Sequence, residues 1–265
     1  MIKKVKLFVN DNDRSIRLAK LVRNSFLKNG FIISDDSFDL GIAIGGDGSF
    51  LRMVRNSDFD PNPYYVGINA GTLGFLQEAN EHEINRLIQV IQTGEYRLDD
   101  AYIQEIVISH EDKEDRAYSL NEMIMKEKEF KSARLAVYVD NEKLEDFIGD
   151  GLLIATTVGS TGHNLSYGGS IVYSDLPTLQ INPLAPINSS VYTNLVTSII
   201  IPKDKDIMII PDSSTNDILL GVDGIYTTYN NVDSINTSIR DKKVKCLRFK
   251  NSNFSRKVNE KLLSK

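Results

Sequence analysis

The chain has 265 residues, 41% of them apolar, which is enough to bury a sizeable core in one large domain or two modest ones and argues against a disordered chain. A net charge of -5 and a pI near 5.3 argue against general affinity for nucleic acid or an anionic membrane surface, because both favour a basic face. No stretch approaches ~18 unbroken apolar residues, the N-terminal "MIKKVKLFVN" has no signal-type apolar run, and the single Cys246 cannot form an internal disulfide, so a soluble cytoplasmic protein is expected.

In chain order, residues 4–9 read as a strand, 13–28 as an amphipathic helix ending at Asn29-Gly30, 39–44 as a short buried strand and 49–57 as a helix. "YYVGIN" at 64–69 is another strand, and "HEINRLIQVIQTG" is a helix closed by Gly94. This alternation predicts an α/β layer with a largely parallel sheet. From about residue 98 the period changes to short β runs: "AYIQEIVIS", "RAYSLNEMIMK", "RLAVYVD", "EDFIGDGLLIAT", "SIIIP", "DIMIIP", "DILLGVDG" and "KVKCLRFK". Their turn-separated spacing predicts a β-sandwich. The last eleven residues, "SRKVNEKLLSK", read as helix. The expected organisation is a three-layer, Rossmann-like α/β domain over 1–97, a β-sandwich domain over 98–250, and a C-terminal helix over 251–265 that packs back on the first domain.

Four segments carry candidate chemistry. In "LGIAIGGDGSFLRMVR", residues 40–55, a strand runs through glycines into a helix, the context of a phosphate-binding turn. The spacing is neither G-x-G-x-x-G nor the Walker pattern, and Asp47 is a carboxylate where an anion is expected. On these residues alone, Asp47 or Ser49 as a helix cap is an equal alternative. "NAGTLGFL", residues 69–76, again follows a strand; its glycines permit close backbone approach and Phe75 can lie against a ring, or simply fill the core. Asn121-Glu122 interrupts an apolar strand pattern, and a carboxylate there is costly unless hydrogen-bonded, which suits a ligand-facing pair. "GDGLLIATTVGSTGHNLSYGGS", residues 149–170, offers hydroxyls and amides for a polar ligand, with a plain loop as the alternative.

Taken in this order and at these intervals, "GGDG", "NAGTLGF", the "NE" pair and "GDGLLIATTVGSTGHNLSYGG" resemble the NAD kinase family, enzymes that phosphorylate NAD to NADP. "GGDG" is shared with diacylglycerol kinase-like and phosphofructokinase-like proteins; the other three motifs single out NAD kinases. The resemblance implies that Asp47 is a general base for the 2′-hydroxyl of the adenosine ribose, with the Gly48 amide open to the ligand, while a divalent metal, expected to be magnesium, and backbone amides hold the phosphates of ATP. No metal ligand is assigned to a protein side chain. Phe75 would flank a ring. Asn121 and Glu122 match the pair at the ribose and nicotinamide end, and Thr161, Gly162, His163, Asn164 and Ser166 match the segment around adenine. Asp150 matches an aspartate that contacts a base, Ala185 and Tyr192 an interface contact to the same ligand, and Asp223 a residue that orders the site.

The implied partners are NAD, NADP and ATP, with inorganic polyphosphate as a second donor class, and the implied assembly is a homodimer or homotetramer. The apolar run "VYTNLVTSIIIP" favours the tetramer. Three positions depart from the family pattern T-P-x-G-S/T-T-A-Y and its surroundings: Thr157 replaces proline, Gly162-His163 replaces Ala-Tyr, and Ile148 stands where some members have arginine. His163 can stack on adenine, hydrogen-bond to it, or be a solvent-exposed loop residue. The rival functions are a lipid kinase sharing only "GGDG" and a catalytically silent dinucleotide-binding regulator.

Overall fold

The computed structural model describes residues 2–71, 74–129, 131–215 and 217–264. The chain divides into two compact units, one of residues 1–101 and 243–265 and one of residues 102–242.

The first unit contains β1 (Lys4–Val9), α1 (Asp13–Lys28), β2 (Ile32–Ile33), β3 (Leu40–Gly45), α2 (Asp47–Asn56), β4 (Tyr64–Asn69), β5 (Ala79–Asn80) and α3 (Ile84–Thr93). Strands β2, β1, β3 and β4 pair in parallel in that order, and β4 also pairs with β5 and with Lys245-Cys246 from the C-terminal end of the chain. Every residue of β3 is buried, as a strand covered on both faces requires. Its alternate residues Leu40, Ile42 and Ile44 join Val66 and Ile68 of β4 in a core with Leu18, Val22 and Phe26 of α1 and Leu87, Ile88 and Ile91 of α3. The intervening positions point the other way, where Gly41 lies against Met53 of α2, Phe38 and Tyr65. Helices therefore cover both faces, giving the three layers expected. Helix α1 has the bounds read from the sequence because Asn12 caps it, accepting from the Ser15 amide at 2.9 Å, and its core residues recur every four positions. Helix α3 ends where Gly94 adopts a left-handed φ of 74°. Cys246 is a buried free thiol whose ionisation burial pushes upward.

The second unit contains most of β6 (Tyr96–His110), then β7 (Lys113–Ser119), β8 (Glu122–Glu127), β9 (Ala133–Val139), β10 (Glu142–Gly149), β11 (Gly151–Thr156), α4 (His163–Ser166), β12 (Thr178–Leu184), β13 (Ile199–Pro202), β14 (Ile207–Pro211), β15 (Ile218–Val222), β16 (Ile225–Tyr229) and the first part of β17 (Val232–Phe249). One antiparallel sheet runs β13-β12-β11-β8-β15-β16; in the other, β10-β9-β14-β17 is followed by β6 and β7. Met123, Met125, Leu152, Ile154 and Leu220 from the first sheet pack with Leu135, Val137, Ile207, Ile209 and Ile235 from the second, forming the sandwich core.

Two runs read as single strands are each two. Residues 116–126 break at Leu120-Asn121, and 145–156 break at Gly149-Asp150-Gly151, where the chain leaves one sheet for the other. A Cβ on Gly151, at φ 151°, would collide with the Met125 carbonyl, so the corner needs glycine. Strand β12 escaped the sequence reading because Gln180, Asn182 and Pro183 interrupt its apolar pattern, and β16 and early β17 are rich in polar residues.

The C-terminal segment, α5 (Phe254–Val258) followed by a π-helical turn over Asn259–Leu263, belongs to the first unit; Lys265 of the expected helix lies outside the described residues. Lys257 Nζ donates to the Gln77 carbonyl and to Glu78 Oε2, each at 2.9 Å. Glu78, almost fully buried, also accepts from Arg248 at 3.3 Å and from the Phe249 amide at 2.9 Å. Glu78→Ala leaves two buried cations without their carboxylate and should cost ~3–5 kcal/mol of stability. Urea unfolding checks this, and a loss under ~1 kcal/mol would show the cluster to be dispensable. Among the described residues no helix is long and apolar enough to cross a membrane.

Candidate active site

Strand β1 leads to β2 on one side and β3 leads to β4 on the other, so the carboxyl ends of β1 and β3 form the switch point where open α/β sheets bind ligands. The "GGDG" turn sits there. Asn10, just past β1, donates its amide to the Ile44 carbonyl at 3.0 Å, and its side chain accepts from Arg52. At Gly45, φ 151°, a Cβ would strike Ser49. Gly46 and Gly48 are exposed, with open space where a Cβ would lie. Gly46 is the residue before α2, and among the described residues no side chain caps that helix, so its first amides can meet an anion.

Neither Asp47 nor Ser49 is a helix cap. The Asp47 carboxylate reaches across to the next loop, where Oδ2 accepts from the Phe75 amide at 2.8 Å and Oδ1 from the Leu76 amide at 3.0 Å. A Cβ on Gly74 would fall inside that carboxylate, which explains the glycine in "LGF". Asn69 closes the same loop by accepting from the Gly71 amide at 3.0 Å. Thr72 and Leu73 of the "NAGTLGF" segment lie outside the described residues. The half-buried Phe75 ring pairs with Phe254 at 6.3 Å. Asp47 is thus a fixed carboxylate, only part-buried, with lone pairs left on both oxygens. Among the described residues no three His, Cys, Asp or Glu side chains cluster as a metal site.

In the second unit, Asp223 organises the "NE" pair. Its carboxylate accepts from the amides of Leu120 and Asn121, both at 2.8 Å, and of Glu122 at 3.2 Å, while its own amide donates to the Glu122 carbonyl at 3.1 Å. Thr156 buttresses the turn from β11: its hydroxyl donates to the Leu120 carbonyl at 2.6 Å and its amide to the Asn121 carbonyl at 2.8 Å. Gly159 lies so close to that carbonyl that no Cβ would fit. The turn leaves two buried acceptors, Asn121 Oδ1 and Glu122 Oε2, without a hydrogen-bond partner among the described residues. Such atoms are costly unless something donates to them, and a ligand with adjacent hydroxyls would. Burial first, and the Asp223 charge second, push the Glu122 carboxyl up to about 8, against a hydrogen bond from the His163 backbone.

His163 Nδ1 lies 3.2 Å from Glu122 Oε1, so the residue in the tyrosine position touches the "NE" pair, while its ring remains half exposed. A Cβ at Gly162 would stand 3.0 Å from Glu122 Oε2 and crowd the open oxygen. Thr161 is half-buried and Ser166 exposed. The Asn164 side chain is buried and turned into the loop, donating to the carbonyls of Ser160 and Ser170 at 3.2 Å each. Thr157, in the proline position, donates its hydroxyl to the Leu176 carbonyl and accepts from the Thr178 amide, tying the segment to β12.

Asp150 is exposed at the corner between β10 and β11, and Ala185 is exposed after β12 at a left-handed φ of 44°. The Tyr192 hydroxyl accepts from Arg134 at 3.1 Å, and that guanidinium lies 5.2 Å from the ring centroid. Ile148 acts through its backbone: its amide donates to Asn194 Oδ1 and its carbonyl accepts from the Ile187 amide, each at 2.8 Å, holding the 187–194 loop. Arg134, Ile148, Tyr192 and Asp212 border a cavity of about 670 Å³. Sequence reading missed Arg134, Asn194 and Glu78, since one charged or polar residue in a strand or loop pattern gives no signal of its partner.

Residues 6–96 match the ATP-NAD kinase N-terminal domain model and residues 120–248 the ATP-NAD kinase C-terminal domain model. The NAD kinase of Finegoldia magna is 33% identical over 98% of this chain and 97% of its own, and NAD kinase 1 of Oceanobacillus iheyensis is 31% identical over 98% of each. Among solved structures, yeast NADH kinase complexed with NADH superposes with a TM-score of 0.82 at 21% identity, covering 99% of this chain and 87% of that one. The NAD kinase from Archaeoglobus fulgidus in complex with ATP gives 0.76 at 21% identity, covering 99% of both. At that identity the two structures establish the fold, while the domain models and the bacterial relatives establish that the chain belongs to the ATP-NAD kinase family.

Proposed function

We propose that the chain transfers the terminal phosphoryl group of ATP to the 2′-hydroxyl of the adenosine ribose of NAD, giving NADP. The observation that carries this reading is the Asp47 carboxylate, fixed by the Phe75 and Leu76 amides at the strand switch point beside uncapped helix amides. A protonated hydroxyl is a poor nucleophile. Asp47 takes its proton as the oxygen attacks phosphorus, the bond to the donor's bridging oxygen breaks, and that oxygen leaves as the nucleoside diphosphate. The open Gly46 and Gly48 region leaves backbone amides for phosphate oxygens.

A magnesium ion would be carried largely by the donor's phosphates, the usual arrangement for this ion, with the part-buried Asp47 carboxylate as the side chain that could add an oxygen to it. When bound, the ion neutralises charge on the transferring phosphoryl group.

Asn121 Oδ1 and the Glu122 carboxyl accept from the ligand's ribose hydroxyls, and Asp223 positions both. Thr161, Gly162, His163 and Ser166 line the adenine segment, with Asn164 acting through the loop it clamps. Phe75 flanks a ring, and Asp150, Ala185 and Tyr192 supply contacts across a subunit interface. In this reading residues 1–97, with 251–265 against them, carry the base, and residues 98–250 carry the NAD-binding segments. Val191 is 77% exposed, Val196 65% and Ile200 46%, which supports burial of the 191–202 run in a homotetramer. Light scattering that finds a monomer at micromolar protein would defeat that assembly. The buried free thiol supports a cytoplasmic setting.

The test is incubation with NAD, ATP and magnesium and detection of NADP by an NADP-specific dehydrogenase. NADP at the no-enzyme level overturns the reading. Parallel reactions with diacylglycerol micelles, with polyphosphate in place of ATP, and a calorimetric NAD titration separate the lipid kinase, the second donor class and the silent binding protein.

A further inference from the structure

Lys261 stands out in the first unit. Its Nζ is fully shielded yet has no hydrogen-bond partner among the described residues. The ammonium rests over the Phe75 ring, 4.2 Å from the centroid. Phe75 is the residue whose amide holds Asp47. Lys257, one helical turn earlier, has a different fate: its ammonium donates to the Phe75 and Gln77 carbonyls and to the Glu78 carboxylate. Of two lysines on one short C-terminal segment, one is bonded into the loop, and the other rests on a ring face in the field of Asp47 and Glu260 without a hydrogen-bond partner among the described residues. Burial, with the Lys257 and Arg248 charges, pulls the Lys261 amine down to about 8, while Asp47 and Glu260 act in the opposite direction.

A buried ammonium lacking hydrogen bonds is a costly arrangement, and a cation–π contact compensates only part of what three N–H donors lose. An anion arriving beside Asp47 would supply what is missing. We propose that Lys261 is a donor-binding residue of the phosphoryl-transfer site, its ammonium moving from the Phe75 ring to the terminal phosphate oxygens of the donor held at Asp47. The four-carbon stem allows that movement, and the segment carrying it, a five-residue π-helical turn, has exposed Leu262 and Leu263 beyond it. The lysine changes no bond order: it neutralises charge on the phosphoryl oxygens and leaves proton removal to Asp47. Because the group recognised is a terminal phosphate, a nucleoside triphosphate and a polyphosphate chain would use it alike.

The inference rests on the kinase reading, and the experiment separates the two. In the full-length protein, Lys261→Met keeps the apolar stem and removes the charge. Charge-assisted hydrogen bonds to phosphate predict an about tenfold to hundredfold rise in the KM for ATP and in the dissociation constant of a non-hydrolysable ATP analogue with magnesium. The NAD KM should stay within about twofold and the melting temperature within a few degrees, whereas a packing role alone would move the melting temperature and leave donor affinity alone. Lys261→Arg, which retains the charge, should bind the analogue within about fivefold of wild type. Wild type that makes NADP while Lys261→Met keeps its donor KM and analogue affinity overturns this inference alone. Equal loss of affinity by the Met and Arg variants also overturns it, as a folding effect. Wild type that makes no NADP overturns the parent reading.

Discussion

Asp47→Asn should lower kcat by ~10²–10⁴-fold while the NAD dissociation constant moves only a few-fold, because the substitution keeps the shape of the side chain and removes the proton acceptor. The geometry adds a second, separable effect. Two backbone amides converge on the two oxygens of Asp47, at 2.8 and 3.0 Å, and an asparagine can accept only one of them while its own N–H₂ faces the other. Leaving that donor opposed costs ~1–3 kcal/mol, so the variant should also melt earlier. A helix-capping role would have predicted neither change, since asparagine caps about as well as aspartate. Steady-state kinetics at two magnesium concentrations, beside a melting curve, read both effects. A rate above about a third of wild type would remove Asp47 from the base role, being far short of the ~10²-fold loss. Recovery of the rate at high magnesium would instead make it a metal-positioning group.

Wild-type stability should fall as pH rises from about 5 to about 8, and Glu122→Gln should lack that dependence. Burial and the neighbouring Asp223 charge raise the Glu122 carboxyl from 4.5 to about 8 in the folded chain. Between those values the folded protein holds a proton that the unfolded chain has released, so raising the pH favours unfolding, with a slope approaching ~1.4 kcal/mol per pH unit. Below the window both states are protonated and above it neither is, so this contribution flattens at each end. Melting curves of the two proteins across the window test it; parallel curves would show that Glu122 is ionised in the fold at neutral pH. A neutral carboxyl would both donate to and accept from the hydroxyls of the proposed ligand. Glu122→Gln should therefore keep the NAD KM within a few-fold at pH 7, and Glu122→Ala should raise it about tenfold by leaving the ligand hydroxyls unpaired.

In the same region some of the proposed substrate residues turn their side chains into the protein. Asn164 falls within the proposed adenine segment, but its side chain is buried and donates to the carbonyls of Ser160 and Ser170. In a linear reading an asparagine in a polar loop looks the same whether it faces a ligand or closes the loop. His163 likewise gave no sign of its 3.2 Å approach to Glu122, because 41 positions separate them and the contact exists only once β8 and β11 pair.

By itself the sequence determined the elements whose signals are local: helix α1, with its cap and four-residue core spacing, the buried strands β3 and β4, the glycine stop after α3, and the change from helical to two-residue period. It also determined family membership, because four motifs in order carry more information than any one loop. Tertiary structure alone decided what Asp47 is bonded to, since the Phe75 and Leu76 amides come from a loop 28 and 29 residues away and no local rule pairs a helix's first residue with them. It decided, too, that "EDFIGDGLLIAT" is two strands in different sheets, because hydrophobic alternation records which face is buried but not which sheet does the burying. The charges of Glu78, Arg248, Lys257 and Lys261 gather around the Asp47 loop only when the chain's C-terminal segment returns to it; a solvated-looking "SRKVNEKLLSK" cannot show which of its lysines will be paired and which left open, since that depends on the carbonyls and carboxylates they meet.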